Sequence, residues 1–270
     1  MIEFRNLNGV SFETMTAAFN EAFSDYDIPA KYTVNYLRAL VLRRGYRPDL
    51  AVGAFDGEQL VGFVFNCLDG DAAYNSGTGV IPSHRRHGLA RKLMQRSFEA
   101  TRAAGAATYT LEVIETNHRA AALYRDLGMI ETRRLHRWSY EPAKRGRFTE
   151  LANVHPEALA PWFDFAPSWQ NSPRSVSRAV EPYVALGDER CTAIMFPSNG
   201  DVALLAVDPA HRRQGLGRAL LDAAATRCAK PLRILNIDER AEGVNAFLAR
   251  CGATKTIVQL EMVIALTAAT

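Results

Sequence analysis

The sequence predicts a mixed α/β chain made of two tandem copies of one α+β unit. Three observations predict it. A twelve-residue segment recurs, the same order of strand-like and helix-like stretches surrounds each copy, and a polar stretch separates the two. The segments are PSHRRHGLARKL at 82–93 and PAHRRQGLGRAL at 209–220, identical at eight of twelve positions. Ser83 and Ala90 are replaced conservatively by Ala210 and Gly217.

The elements follow in order. An early helix-like run, AFNEAF, breaks at Ser24-Asp25-Tyr26-Asp27-Ile28-Pro29. LAVGAFDGEQLVGFVFN reads as two strands joined by a turn at Asp56-Gly57. SGTGVI is the apolar strand that runs into the repeated segment. Beyond it, Leu89, Leu93, Met94 and Phe98 fall on one helical face. TYTLEVI is a further strand, and HRAAALYRDLG is a helix ending at Gly128. The second copy repeats this order. PYVALGDERCTAIMF turns at Gly187-Asp188, VALLAV enters the segment, and Leu216, Leu220, Leu221 and Ala224 make a helical face. LRILNID and a helix ending at Gly252 follow. EPAKRGRFTE at 141–150 is polar with Pro and Gly, which puts the first unit at 1–143, a linker at 144–150 and the second unit at 151–270.

Composition narrows the function. Lys and Arg number 32 against 29 Asp and Glu. Residues 1–150 hold 20 basic and 17 acidic residues and the rest 12 and 12, so the whole net charge of +3 lies in the first part. This is too mild for a protein that lives on nucleic acid, and neither loop interleaves aromatics with its arginines. No apolar run is long enough to span a bilayer, and the N-terminal stretch lacks the basic start and apolar core of a signal peptide. Cys67, Cys191, Cys228 and Cys251 have no metal or redox spacing. The expectation is a soluble cytoplasmic protein with no metal, no membrane and no nucleic-acid partner.

The repeated segment is a basic loop closing onto a helix start. The first turn of a helix has N–H groups without intrahelical partners, and its dipole adds positive charge. Gly88 and Gly215 let an anion approach the backbone, and Ala90 and Gly217 keep a later position small. Arg85, Arg86 and Arg91, with Arg212, Arg213 and Arg218, add charge. The arrangement suits a phosphate or pyrophosphate. The same residues also suit a plain helix start with solvated arginines, and it is the duplication in matching contexts that favours the anion. Neither loop is a P-loop or a three-glycine dinucleotide fingerprint.

The pattern Val80-x-Pro82-x-x-Arg85-x-x-Gly88-x-Ala90, with Val207-x-Pro209-x-x-Arg212-x-x-Gly215-x-Gly217, resembles the acetyl-CoA signature of the GNAT superfamily of N-acetyltransferases. A second motif of that family is visible in Leu111-Glu112-Val113, Asn117, Ala121, Leu123-Tyr124 and Leu127-Gly128-Met129. The resemblance implies a V-shaped slot between splayed strands. Pantetheine would run along Val80 and Ile81, and the pyrophosphate would lie on Arg85, Arg86, His87, Gly88, Leu89, Ala90 and Arg91. A possible second cofactor site comprises Val207, Arg212, Arg213, Gln214, Gly215, Leu216, Gly217 and Arg218. Gly77 and Gly79 suit the bulged strand of such a slot.

The halves are not equivalent. Setting Gly128 on Gly252 places Asn117 on Ala241 and Tyr124 on Leu248. The resemblance gives Tyr124 the role of general acid to the departing thiolate and Asn117 a place near the cofactor. The first half is therefore the expected catalytic half, and the second a degenerate copy. The halves also differ at LHRW (135–138) and QLEM (259–262). Glu112 is a candidate base, as is Glu115, and either one also reads as an ordinary solvated acid. In the second half, which lacks the tyrosine, Asp238 or Glu239 is the alternative acid, acting through water. Asp25, Tyr26 and Asp27 are candidates for the acceptor site, where two acids would attract a cationic amine; a helix end with solvated acids is the plain reading.

The resulting expectation is transfer of acetyl from acetyl-CoA to a primary amine of a small molecule or peptide. A non-catalytic CoA-binding sensor is the alternative. Monomer and homodimer stay equally open.

Overall fold

The structure is a computed structural model that describes residues 1–25, 31–141 and 148–266. Tyr26, Asp27 and most of the expected linker lie outside the described residues. The chain divides into two compact units, Met1–Thr132 with Glu261–Thr270, and Arg133–Leu260.

The first unit begins with β1 (Ile2–Asn6), α1 (Phe12–Ala22) and α2 (Val34–Arg43). Ser11 and Thr33 cap the two helices through their hydroxyls. The hairpin β2 (Val52–Asp56) and β3 (Gln59–Asp69) turns at Gly57, whose φ of +57° explains the glycine. Then come β4 (Ala72–Val80), α3 (Leu89–Ala103), β5 (Thr108–Ile114) and α4 (His118–Asp126). The sheet order is β1-β2-β3-β4-β5. Its two faces differ. Phe63 and Phe65 stack on each other with centroids 4.4 Å apart, and Phe19 of α1 stacks on Phe63. On the opposite face, a Cβ added at Gly62 would lie 3.0 Å from Leu93 of α3. Helices therefore cover both faces, and the central strand β3 is buried along most of its length.

The second unit holds β7 (Val184–Asp188), β8 (Cys191–Phe196), β9 (Asp201–Val207), α6 (Leu216–Ala225), β10 (Leu232–Asp238) and α7 (Glu242–Cys251). Where the first unit has α1 and α2, this one has short 3-10 turns and the five-residue α5 (Pro173–Ser177). Its turn falls at Glu189-Arg190, not at the expected Gly187-Asp188. Gly187 stays inside β7, where a Cβ would strike the Cys191 carbonyl oxygen at 1.9 Å, and Asp188 accepts the Arg190 N–H at 2.9 Å to close the turn.

The compact units differ from a contiguous split at 144–150. Most of β6 (Ile130–Tyr140) belongs to the second unit, where it pairs antiparallel with β10. The end of β11 (Thr254–Ala265) belongs to the first, beyond β5, where Leu266 N–H donates to the Ala107 carbonyl at 2.7 Å. Each unit thus completes its sheet with a strand from the other copy of the repeat. LHRW closes the second unit, and Glu261 and Met262 begin the part of β11 that closes the first. LHRW and QLEM are therefore not equivalent ends of their own copies, contrary to the sequence expectation. Among the described residues no helix is long and apolar enough to cross a membrane, and all four cysteines are free thiols.

Candidate active site

Each unit parts two parallel strands at the same place. β4 pairs with β5 only from Ala72 to Asn75, so Ser76–Val80 keep β3 alone as partner. An extra residue in β4 makes a bulge there, since Val64 faces Thr78 while Asn66 faces Asn75. Gly77 lies in the bulge. Asn75 braces it by accepting the Gly77 N–H at 2.9 Å and donating to Thr78 Oγ1 at 2.7 Å. Arg44 donates to the Ser76 carbonyl and hydroxyl, both at 3.1 Å. In the second unit β9 meets β10 only at Asp201 and Val202, and an extra residue at Ala203 bulges β9. A parted strand pair of this kind leaves backbone N–H and C=O groups for a ligand to meet.

The loop at the mouth of each parting has one geometry. Arg86 and Gly88 are left-handed at φ +67° and +73°, and Arg213 and Gly215 at +62° and +82°. Alternating left-handed residues turn successive N–H groups to one side, which makes an anion-binding nest. Gly88 and Gly215 start α3 and α6 with no capping side chain and no acid in the first turn, so the helix N–H groups are left for a ligand. A Cβ on either glycine would meet nothing within 4 Å, which shows open space in front of both loops. Arg86, His87, Arg213 and Gln214 are exposed beside it.

Two arginines expected to face the anion are committed elsewhere. Arg85 donates from Nε to the Val80 carbonyl at 3.0 Å, from Nη2 to the Ala22 carbonyl at 2.6 Å, and to both Asp25 oxygens at 2.6 and 2.9 Å. Arg212 repeats this with the Val207 and Trp162 carbonyls at 3.2 and 2.8 Å and with Asp164 at 2.5 Å. These arginines are staples that hold the loop to the segment before it. Asp25 is likewise not a free acceptor-site acid; the hydrogen bond from Arg85 holds its carboxyl below the usual range. The matching placement of Phe23-Ser24-Asp25 and Phe163-Asp164 is the sequence signal that could have revealed this pair. Arg91 pairs with Asp126 at 3.0 Å, and Arg218 donates to the Cys251 carbonyl at 3.1 Å. Gly217 is small for a different reason from the one expected: a Cβ there would lie 3.0 Å from the Phe247 ring. The first unit carries Ala90 and Leu123 at these positions, so a volume gained on one side is lost on the other.

Asn117 caps α4, its Oδ1 accepting the Ala120 N–H at 3.1 Å. The second unit has Ala241 there, and Asn245 braces the same turn by donating to the Asp238 and Ala241 carbonyls at 2.8 and 2.9 Å. Tyr124 lies on the buried face of α4 with Ala121. Leu248, its counterpart, is fully buried. Glu112 is half-buried on β5, facing away from Leu111 and Val113. Burial pushes the Tyr74 phenol well up and the Glu112 charge adds to the shift. Burial works against the Arg44 charge, but Tyr74 and Glu112 outweigh it and raise its pKa. Glu115 lies in the turn between β5 and α4. By the same offset Glu112 corresponds to Asn236. Asp238, the alternative acid of the second unit, is ion-paired with Arg240 and Arg133. Its burial would raise its pKa, but the hydrogen bonds from Arg240 and the charge of Arg133 hold it below the usual range.

The second unit's parting opens into a cleft of about 1000 Å³. It runs from the loop at Arg213–Arg218, between Val202–Leu205 and Ile234–Ile237, to Phe247 and Leu248 of α7.

Residues 12–129 match the model of the acetyltransferase (GNAT) family, and residues 181–252 match that of the acetyltransferase (GNAT) domain. The chain belongs to the GNAT family. It carries two GNAT domains in tandem, and the family's chemistry is acyl transfer from acyl-CoA. No curated protein matches the sequence. Among solved structures, the chain is similar to a tandem GNAT protein from the clavulanic acid biosynthesis pathway, with 15% identity, a TM-score of 0.69 and 100% of both chains covered. It is also similar to a GCN5-related N-acetyltransferase from Sphaerobacter thermophilus, with 16% identity, a TM-score of 0.69 and 100% and 97% covered. At these identities the likeness is one of fold.

Proposed function

We propose that the chain transfers acetyl from acetyl-CoA to a primary amine of a small molecule or peptide, and that the first unit carries the reaction. The observation that carries this reading is the nest at Arg86–Gly88 beside a bulged, parted strand, in the unit that keeps Glu112 and Tyr124. Val80, Ile81 and the Arg86–Arg91 loop would hold the CoA, with Arg85 positioning the loop. Bound acetyl-CoA supplies the thioester. The chain's own residues arrange the rest. Backbone N–H groups near Val80 stabilise charge on the carbonyl oxygen. Glu112 takes the proton that the amine loses as its nitrogen bonds the acetyl carbon. Tyr124 gives a proton to the sulfur as the carbon–sulfur bond breaks. The free thiols suit work in the reducing cytoplasm.

We read the second unit as a CoA-binding unit without transfer. Three changes support this, with Asn236, Ala241 and Leu248 standing where the first unit has Glu112, Asn117 and Tyr124. None of the three replacements is charged, and leucine cannot donate a proton. Thiol release from acetyl-CoA with a mixed amine library tests the reading. Amine-dependent release supports transfer. Tight CoA binding with no release for any amine would make the chain a sensor instead.

A further inference from the structure

One turn contributes Ser168 and Asn171 to the lining of the second unit's cleft. Asn171 N–H donates to the Ser168 carbonyl at 3.0 Å. Asn171 Nδ2 donates to the Leu235 carbonyl at 2.9 Å, and Asn236 Nδ2 donates to Ser168 Oγ at 3.1 Å. The turn therefore clasps the Leu235–Asn236 stretch, where β10 bulges and Asn236 takes φ +58°. A left-handed residue without glycine inside a strand stores strain of the kind kept at ligand sites.

The clasp fixes which way Asn171 points. Only its amide nitrogen can face the Leu235 carbonyl, so Oδ1 is turned away. That oxygen has no hydrogen-bond partner among the described residues, although Asn171 is only 4% exposed. A buried acceptor without a donor is unfavourable, and a ligand N–H or O–H removes the cost. Ser168 Oγ accepts from Asn236, which leaves its own hydrogen to donate. All three residues line the cleft. The turn thus offers the cleft one acceptor and one donor and carries no charge. The cleft's carboxylates are Asp164, tied to Arg212, and Glu242, exposed in the first turn of α7. In the first unit the position of Asn236 holds the carboxylate of Glu112.

We propose that the Ser168–Asn171 turn is a binding site for an uncharged carboxamide group, its N–H on Asn171 Oδ1 and its carbonyl on Ser168 Oγ–H. This extends the reading of the second unit as a binding unit. It needs no thioester, so it fails or stands separately from CoA binding at the Gly215 loop.

Saturation-transfer NMR on the full chain tests it with two small probes of like carbon count, propionamide and propylammonium. Propionamide gives a signal that Ser168→Ala and Asn171→Leu each weaken by about fivefold, the effect of one hydrogen bond. Propylammonium gives no signal sensitive to either variant. Asn171→Leu also breaks the clasp, so where it does not fold, Ser168→Ala decides alone, since it keeps the Leu235 bond. Adding CoA separates two sources of the amide: displacement of propionamide assigns the site to an amide of CoA itself, and additive binding assigns it to a separate molecule. A propionamide signal absent from wild type, or unchanged in the folded variants, would overturn the proposal, as would a variant-sensitive signal from propylammonium.

Discussion

Replacing Arg85 with methionine separates a staple from a phosphate ligand. The guanidinium donates to two main-chain carbonyls and to both oxygens of Asp25. The Asp25 carboxylate is half-exposed, so the ion pair itself contributes at most about 1 kcal/mol. The Val80 and Ala22 carbonyls each lose a charged donor, at about 1.5 kcal/mol apiece where water replaces it in part. The loss is then about 2–4 kcal/mol. For a unit of this size that lowers Tm by roughly 6–15 °C. Asp25→Asn, which keeps both carbonyl bonds, costs less than about 1 kcal/mol. Calorimetric melting of both variants, with CoA titrations well below Tm, gives the answer. An Arg85→Met protein with wild-type Tm and tenfold weaker CoA binding would refute the reasoning and return Arg85 to the phosphates.

Further outcomes follow from the same geometry. Tyr124→Phe lowers kcat by about 10²–10⁴-fold with little change in CoA affinity, measured by steady-state kinetics and calorimetry; an unaltered kcat removes the tyrosine from the mechanism. Gly217→Ala and Phe247→Leu couple favourably by about 0.5–1.5 kcal/mol in a double-mutant cycle of urea unfolding, because the second change makes the room that the first needs. Additive effects would contradict the volume exchange. The Asp188 carboxyl is held down to about 2, chiefly by its hydrogen bond from Arg190 against the effect of burial. Its contribution to stability is present above the unfolded carboxylate range near about 4 and fades as the pH falls to about 2. Wild type and Asp188→Asn therefore differ in urea stability at pH 5 and converge towards pH 2; a constant difference would contradict the pairing.

Local features were legible in the sequence, and partners distant in the chain were not. TYTLEVI and LRILNID are β5 and β10 to the residue, because alternation and flanking turn residues are local signals. The loop's glycines marked an open backbone at a helix start, and the structure adds that they are left-handed. Arg85 and Arg212 carry the same charge whether they meet a phosphate or an aspartate, so their identity could not separate a ligand from a staple. Pairing Asp25 with Asp164 across the repeat would have done so. Gly217 read as room for an anion because Phe247 lies thirty residues on. The exchange of β6 and the end of β11 has no local signature, since a strand's sequence does not say which sheet it joins. The Ser168–Asn171 turn has no local signature in WFDFAPSWQNSPRS, because Leu235 and Asn236, more than sixty residues on, orient its polar groups.

The division of labour between the units is tested most directly by Gly88→Val and Gly215→Val, assayed side by side for acetyl transfer. Both glycines are left-handed, with open space where a side chain would stand, so valine closes the face of the nest at a strain of about 1–2 kcal/mol. Gly88→Val is expected to abolish transfer, and Gly215→Val to leave it largely intact. With both proteins folded by circular dichroism, full transfer by Gly88→Val and none by Gly215→Val would contradict this division of labour.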